Sequence, residues 1–461
     1  MPNLTLQINP SQPVLGSLRT QQLCYLLLTI SARGNGASRP VNWALIADAS
    51  RSMRIPIVDE AQFRALLREN AAQETLVDGV PVWQLSGPVP PEVRAASPSA
   101  LDHVARALHS IVERLDGNDR FALVACAEEG VLLNRSASGA ERAELVRGIS
   151  RLKSLNLGEQ TDLAQGIELG LHELRRGRAS ERPAVAQAAA ERLLLLTDGF
   201  TQRPEECLRL ASVAAAEGIT ISTIGLGGEF EENVLTGLAD RSAGRAVFLR
   251  KPDDIPRAIA AELSAARAVA ARAVTLSITP ATGVTPRRIT RIRPALTVLE
   301  PIERQHPQNG LPSDLVDIHL GDVEANTPVI LLLELLAPPR GTGLAALGRI
   351  TLASEGTPAA EVELQASYQE QSAMAPPEVL DAAARANAAR LQQRALEMAA
   401  RGDAPEAARL LRAAAVRLDD LDEGRLAAIA RGQATTLEQG GPANPLATKE
   451  LIYATRRLGG E

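Results

Sequence analysis

Short apolar runs and longer amphipathic stretches alternate through the middle of the chain. Runs of strand length fall at residues 41–47, 121–125, 193–196, 219–224 and 245–249. Apolar residues at helical spacing occupy 99–115, 141–155, 163–175, 204–217, 230–241 and 254–268. A strand that is apolar at every position is covered on both faces. The alternation therefore predicts an α/β unit with a mostly parallel, doubly wound sheet.

Outside that region the periodicity changes to two. Leu4, Leu6 and Ile8 alternate with polar residues at the amino end, and segments 273–279, 314–320, 329–336 and 360–368 alternate between Pro/Gly turns. This is the pattern of an antiparallel β-sandwich, and the amino-terminal strands are expected to complete it, leaving the α/β unit inserted within it. After Pro377 the chain turns Ala-, Leu-, Arg- and Glu-rich, with helices expected at 404–418 and 423–438 and an N-cap at Asp403 with Glu406 three residues on. The expected organisation is strands at 1–35, the α/β unit at 36–271 with an insertion at 54–98, the sandwich at 272–372, a small helical bundle at 373–440 and a loosely ordered tail at 441–461.

Composition narrows the partners. The chain has 461 residues, a formal charge of −6, a sequence pI near 5.7 and only 2% aromatics, so it offers neither a basic footprint nor stacking rings for nucleic acid. Cys24, Cys126 and Cys207 lack the paired spacing of a zinc site and read as buried thiols in a reducing compartment. There is no basic-then-apolar leader and no run of about 18 apolar residues. A cytoplasmic protein without membrane association is expected.

The chemistry lies at two strand ends. The run ending at Ala47 delivers Asp48, Ser50 and Ser52; the run ending at Leu196 delivers Thr197, Asp198 and Gly199; Thr161 lies between them. Two strand ends in one parallel sheet open onto the same edge, so residues about 150 apart can share a crevice. The carboxylates of Asp48 and Asp198 with the hydroxyls of Ser50, Ser52 and Thr161 form an all-oxygen set suited to a hard cation, Mg²⁺ or Mn²⁺, with nothing soft for zinc or copper. Taken alone, the first loop would read equally as a turn capped by Asp and Ser.

These loops resemble those of the von Willebrand factor type A (VWA) domain family. DASRSM at 48–53, EQTDL around Thr161 and LLLLTDGF at 193–200 are similar to its metal-ion-dependent adhesion site, and the likeness continues through DRFALVACAEE, ITISTIGLGGEF and RSAGRAVFLRKPDDI, from about 41 to 267. The resemblance implies a Rossmann-like fold. It also implies that Ser50 and Ser52 ligate the metal directly, that Thr161 makes a state-dependent contact, and that Asp48 and Asp198 hold the ion and its waters. One coordination position is then open to an Asp or Glu of a partner protein. Two departures stand out: Arg51 replaces a common Gly, and the insertion at 54–98, with a hairpin signal at Asp78-Gly79, could shape the metal face through Asp59, Glu60 or Asp78.

Enzyme readings lack their parts. Ser50 stands where a haloacid-dehalogenase-type phosphatase needs a second Asp; no Gly-Lys-Ser/Thr loop or G-x-S-x-G elbow occurs; and the five histidines are dispersed. The expected function is divalent-metal-dependent docking of an unidentified partner protein through its acidic side chain, in an assembly or regulatory role. The alternative is a metal-independent scaffold using the sandwich and the carboxyl-terminal helices, with a metal-dependent hydrolase less favoured. Oligomeric state is not legible.

Overall fold

Strand Val41–Asp48 is buried at every position, and so are its neighbour Ala190–Thr197 and the next strand Thr220–Leu226. The computed structural model describes residues 3–10, 14–33, 38–55, 72–77, 80–85, 97–155, 157–158, 160–227, 230–301, 315–371, 373 and 375–459. In it these strands form a six-stranded sheet in the order Ala246–Leu249, Thr220–Leu226, Ala190–Thr197, Val41–Asp48, Arg120–Cys126, Gly130–Ser138. All neighbours are parallel except the last pair. One face packs on helices Ala100–Arg114, Arg142–Leu152 and Ile255–Arg267; the other packs on Leu163–Ser180, Pro204–Ala216 and Glu232–Arg241. Helix Ala100–Arg114 starts where the sequence sets a stop against fraying: Ser99 and Asp102 form a reciprocal capping box.

The edge strand Gly130–Ser138 is absent from the sequence reading. Two register shifts against Arg120–Cys126 break its alternation, and two of its buried residues, Asn134 and Ser136, are polar. Each finds a partner on a neighbouring helix: Asn134 Nδ2 donates to Glu144 O at 2.9 Å, and Glu173 accepts from Ser136 N at 2.6 Å.

Two five-stranded sheets share a second core. Strand Gln22–Arg33 lies between Asn3–Pro10 and Val329–Ala337, antiparallel to both, so the amino-terminal strands pair with strands from beyond the α/β unit. Strand Val14–Gly16 joins the other sheet parallel to Thr357–Gln369, an exception to an otherwise antiparallel arrangement. Strands Thr285–Arg293 and Gly343–Ser354 were not expected; the first carries four arginines and the second is rich in Gly and Ala, which dilutes the apolar alternation. The hairpin signal in the insertion corresponds to Ala72–Val77 paired antiparallel with Val80–Leu85, Val77 opposite Val80. Asp59, Glu60 and Asp78 lie outside the described residues.

Helix Pro377–Ala400 lays Val379 and Ala382 on the sandwich against Leu27, Ile292 and Leu332. Helices Ala404–Asp420 and Gly424–Glu438 follow; Asp403 accepts from Glu406 N at 3.2 Å, but the Glu406 carboxylate pairs with Arg409 and does not close the box. The expected loose tail is instead a helix, Pro445–Arg456. Asn444 caps it by accepting from Ala447 N at 3.0 Å, Pro445 suits its first turn, and Leu451, Tyr453 and Ala454 are buried. Composition around GGPANP suggested disorder because the apolar face is short and its partner surface lies on the α/β unit. Tyr453 packs at 6.1 Å from the Phe230 ring and 5.7 Å from that of Phe248. Lys449 Nζ lies 4.7 Å over Phe230 and 3.2 Å from Glu232.

Candidate metal centre

The end of strand Val41–Asp48 places Asp48 fully out of solvent, and Ala49 N is tied to Cys126 O of the adjacent strand at 2.8 Å. The chain then turns back. Ser50 N donates to Asp48 Oδ1 at 2.9 Å, and a single helical turn, Ser52–Arg54, buries Met53 completely and anchors the loop. The neighbouring strand Ala190–Thr197 brings Thr197 Oγ1 to donate to Asp48 Oδ2 at 2.5 Å, and Thr197 Oγ1 in turn accepts from Gly199 N at 3.1 Å.

Thr161 completes the pocket from a third segment, with Oγ1 at 3.5 and 3.4 Å from the two Asp48 oxygens. Its loop is held on both sides: Asp162 N donates to Ala127 O at 2.7 Å, and Gln202 N donates to Thr161 O at 3.1 Å. Ser50 Oγ and Ser52 Oγ are 3.0 Å apart, and Ser52 Oγ donates to Asp198 Oδ1 at 2.7 Å. All five residues singled out in the sequence thus meet in one connected set.

Burial pushes the Asp48 carboxyl above the ordinary carboxylate range, although hydrogen bonds from Thr197, Ser50 and Thr161 oppose the shift. Among the described residues no Lys or Arg pairs with it, so its charge is met by hydroxyl and amide dipoles alone. Buried carboxylates are ordinarily paired with a cation. Ser50 and Thr161 are buried, whereas Ser52 is exposed and Arg51 points no closer to the interior than an exposed turn position. Oxygen donors around an uncompensated carboxylate fit a hard divalent cation. Among the described residues no group of three or more His, Cys, Asp or Glu side chains gathers for a metal; hydroxyls predominate in this set.

Asp162 was not singled out in the sequence. It accepts from Gln165 N at 3.5 Å as a helix cap and takes both ends of the Arg203 guanidinium, at 3.1 and 2.7 Å, fastening the Thr161 loop to the segment after Asp198. Its position directly after Thr161 and before an apolar helix was the available signal. Cys126 is spent structurally: its thiol donates to Asp162 O at 2.8 Å, and all three cysteines are buried and unbridged.

A von Willebrand factor type A family model matches residues 94–260. The chain contains a von Willebrand factor type A domain. The matched span begins within the last residues of the insertion, so Asp48, Ser50 and Ser52 precede it, yet their strand is central to the same sheet. Residues 377–461 match a second profile, the Sll0103-like C-terminal alpha-helical domain. The uncharacterized protein sll0103 of Synechocystis sp. is 24% identical over 156 residues, covering 33% of this chain and 34% of that protein. The chain thus matches about a third of that relative's length.

Among solved structures, a von Willebrand factor type A protein from Catenulispora acidiphila superposes with a TM-score of 0.70 at 17% identity, covering 99% of this chain and 97% of that one. The ArnB paralog VWA2 from Sulfolobus acidocaldarius gives 0.50 at 14% identity, over the full length of both. At these identities the likeness is one of fold. VWA domains are commonly protein-interaction modules. Among the described residues no helix is long and apolar enough to cross a membrane.

Proposed function

We propose that Asp48, Ser50, Ser52, Thr161 and Asp198 hold a divalent cation, Mg²⁺ or Mn²⁺, and that the VWA domain uses it to dock an acidic side chain of a partner protein in an intracellular assembly or regulatory role. The observation that carries this reading is the Asp48 carboxylate, buried without a cationic partner and ringed by Ser50, Thr161 and Thr197. When bound, the ion would supply a strong, partly uncompensated positive charge, because neutral hydroxyls contribute much of its coordination. Asp48 holds Ser50 N and Thr197 in place, Ser52 reaches solvent, and Asp198 steadies Ser52 from the opposite loop. Among the described residues no side chain near the set is arranged as a nucleophile with its base, and this favours binding over reaction.

The test has two arms. Calorimetric titration of the full chain with MgCl₂ or MnCl₂ should give saturable uptake that Ser50→Ala and Ser52→Ala together remove. Affinity capture from cell extract, with Mg²⁺ or with EDTA, should then recover an acidic-surfaced partner only in Mg²⁺. Uptake that survives the double substitution would refute the site, and capture unaffected by EDTA would favour a metal-independent scaffold.

A further inference from the structure

The carboxyl-terminal helices meet the sandwich around an open cleft of about 580 Å³, within the range of about 300–1,000 Å³ that holds small ligands. Its floor is apolar. Leu27 and Ile292 belong to the core beneath helix Pro377–Ala400, and Leu426 and Leu458 to the core of the helical bundle, so the cleft lies where the two meet. Two of the arginines on its walls are already matched: Arg385 donates to both oxygens of Asp381, at 2.7 and 3.2 Å, and Arg425 pairs with Glu450.

Four wall charges are unmatched. Arg293, Arg457, Glu378 and Glu423 all keep accessible surface, and among the described residues none forms an ion pair; Glu378 accepts from Asn9 Nδ2 at 3.4 Å. Local geometry carries each toward the cleft. Arg293 stands opposite Ile330 at a bulge in strand Thr285–Arg293, and Ile330 packs with Ile292 under the helix, so Arg293 shares their face. Glu378 lies four residues before Ala382, Glu423 three before Leu426 and Arg457 three after Ala454, spacings that set each on the lining side of its helix.

We infer that this cleft binds a short apolar peptide of two or three residues with both ends free, its carboxylate on Arg293 and Arg457 and its ammonium on Glu378 and Glu423. The donor fork of a guanidinium suits a carboxylate, and acceptor-only glutamates suit an ammonium. Charge disfavours simpler ligands: a phosphate or a nucleotide would face the two glutamates as well as the arginines, and a polyamine the reverse. The aliphatic floor takes the apolar side chains, and the volume is more than a single amino acid fills.

The experiment is a calorimetric titration of the full chain with the tripeptide Leu-Leu-Leu, beside its acetylated and its amidated forms. Two double variants accompany the parent: Arg293→Gln with Arg457→Gln, and Glu378→Gln with Glu423→Gln. Saturable binding of the free tripeptide, weakened about ten-fold or more by either double variant and by blocking either end, is expected at unchanged circular dichroism. The losses should not add: amidation should cost the arginine variant no further affinity, and acetylation none for the glutamate variant. Should a double variant fail to fold, the parent's discrimination between free and blocked peptides carries the comparison. No saturable binding of Leu-Leu-Leu, blocked peptides that bind like the free one, or a folded variant that titrates like the parent would overturn the inference.

Discussion

Ser52 Oγ donates to Asp198 Oδ1 over 2.7 Å, so the loops that end two adjacent parallel strands are latched to each other through the two groups assigned to the metal. Occupation by a cation must compete with this latch, because Ser52 cannot keep its proton aimed at Asp198 and present a lone pair unobstructed by that carboxylate without reorienting. Asp198→Ala removes both the latch and a carboxylate. It should abolish divalent uptake in calorimetry, whereas Asp198→Asn, which retains an oxygen, should weaken uptake by about 10- to 100-fold.

Asp48 sets the pH response. Its carboxyl is raised by burial, so the folded metal-free chain holds a proton there more tightly than the unfolded chain does. Stability of the metal-free form therefore rises as pH falls through the folded pKa, and levels off below the unfolded value of about 3.9. Metal uptake needs the carboxylate and should fall over the same range. Asp48→Asn should remove both effects: no divalent uptake, and a metal-free chain at least as stable as the parent at neutral pH. Denaturant melts at several pH values with EDTA, compared with Mg²⁺ titrations, check the opposite signs.

Asp48, Ser50, Ser52 and Asp198 were legible because each follows a buried strand, and a buried parallel strand is written as an unbroken apolar run; Thr161 follows a helix, and only its resemblance to the family's second loop marked it. Val41–Asp48 and Ala190–Thr197 show this directly, since neither has an exposed position to interrupt it. What escaped was structure whose pattern is polar for tertiary reasons. Gly130–Ser138 buries Asn134 and Ser136 against helix carbonyls and carboxylates supplied from elsewhere, and Thr285–Arg293 carries arginines whose partners are distant, Arg288 with Glu334 at 3.6 Å and Arg291 near Asp240. Helix Pro445–Arg456 was hidden because its aromatic contact, Tyr453 with Phe230 and Phe248, spans more than two hundred residues. Periodicity reports which face is apolar, not what lies opposite a polar one.

That aromatic contact yields a stabilising substitution. Tyr453 is 3% exposed, and its hydroxyl is buried without a hydrogen-bond partner among the described residues. An unsatisfied buried hydroxyl costs about 1–3 kcal/mol, while the ring itself supports the docked helix. Tyr453→Phe should therefore raise stability by about 1 kcal/mol, and Tyr453→Ala should lower it by about 3–5 kcal/mol. Guanidinium chloride unfolding followed by circular dichroism separates the two; equal losses for both would mean that the hydroxyl is satisfied by water.

Asp240 ties the VWA domain to the two other parts of the chain. Arg456 of the last helix binds it through two hydrogen bonds, at 2.8 and 2.5 Å, and Arg291 of the sandwich approaches at 3.7 Å. Arg456 is 12% and Arg291 3% exposed at the side chain, so neither can turn to bulk water if the carboxylate is lost. Breaking a buried pair by removing one member costs about 3–5 kcal/mol, much more than an exposed ion pair contributes. Asp240→Ala strands two cations at once. It should lower stability by at least that amount and expose the last helix to proteolysis before the VWA sheet unfolds. Asp240→Asn keeps an acceptor and should lose less. Limited proteolysis with mass mapping would detect the order of release: a single cooperative collapse in both variants would show that the junction does not hold the helix separately.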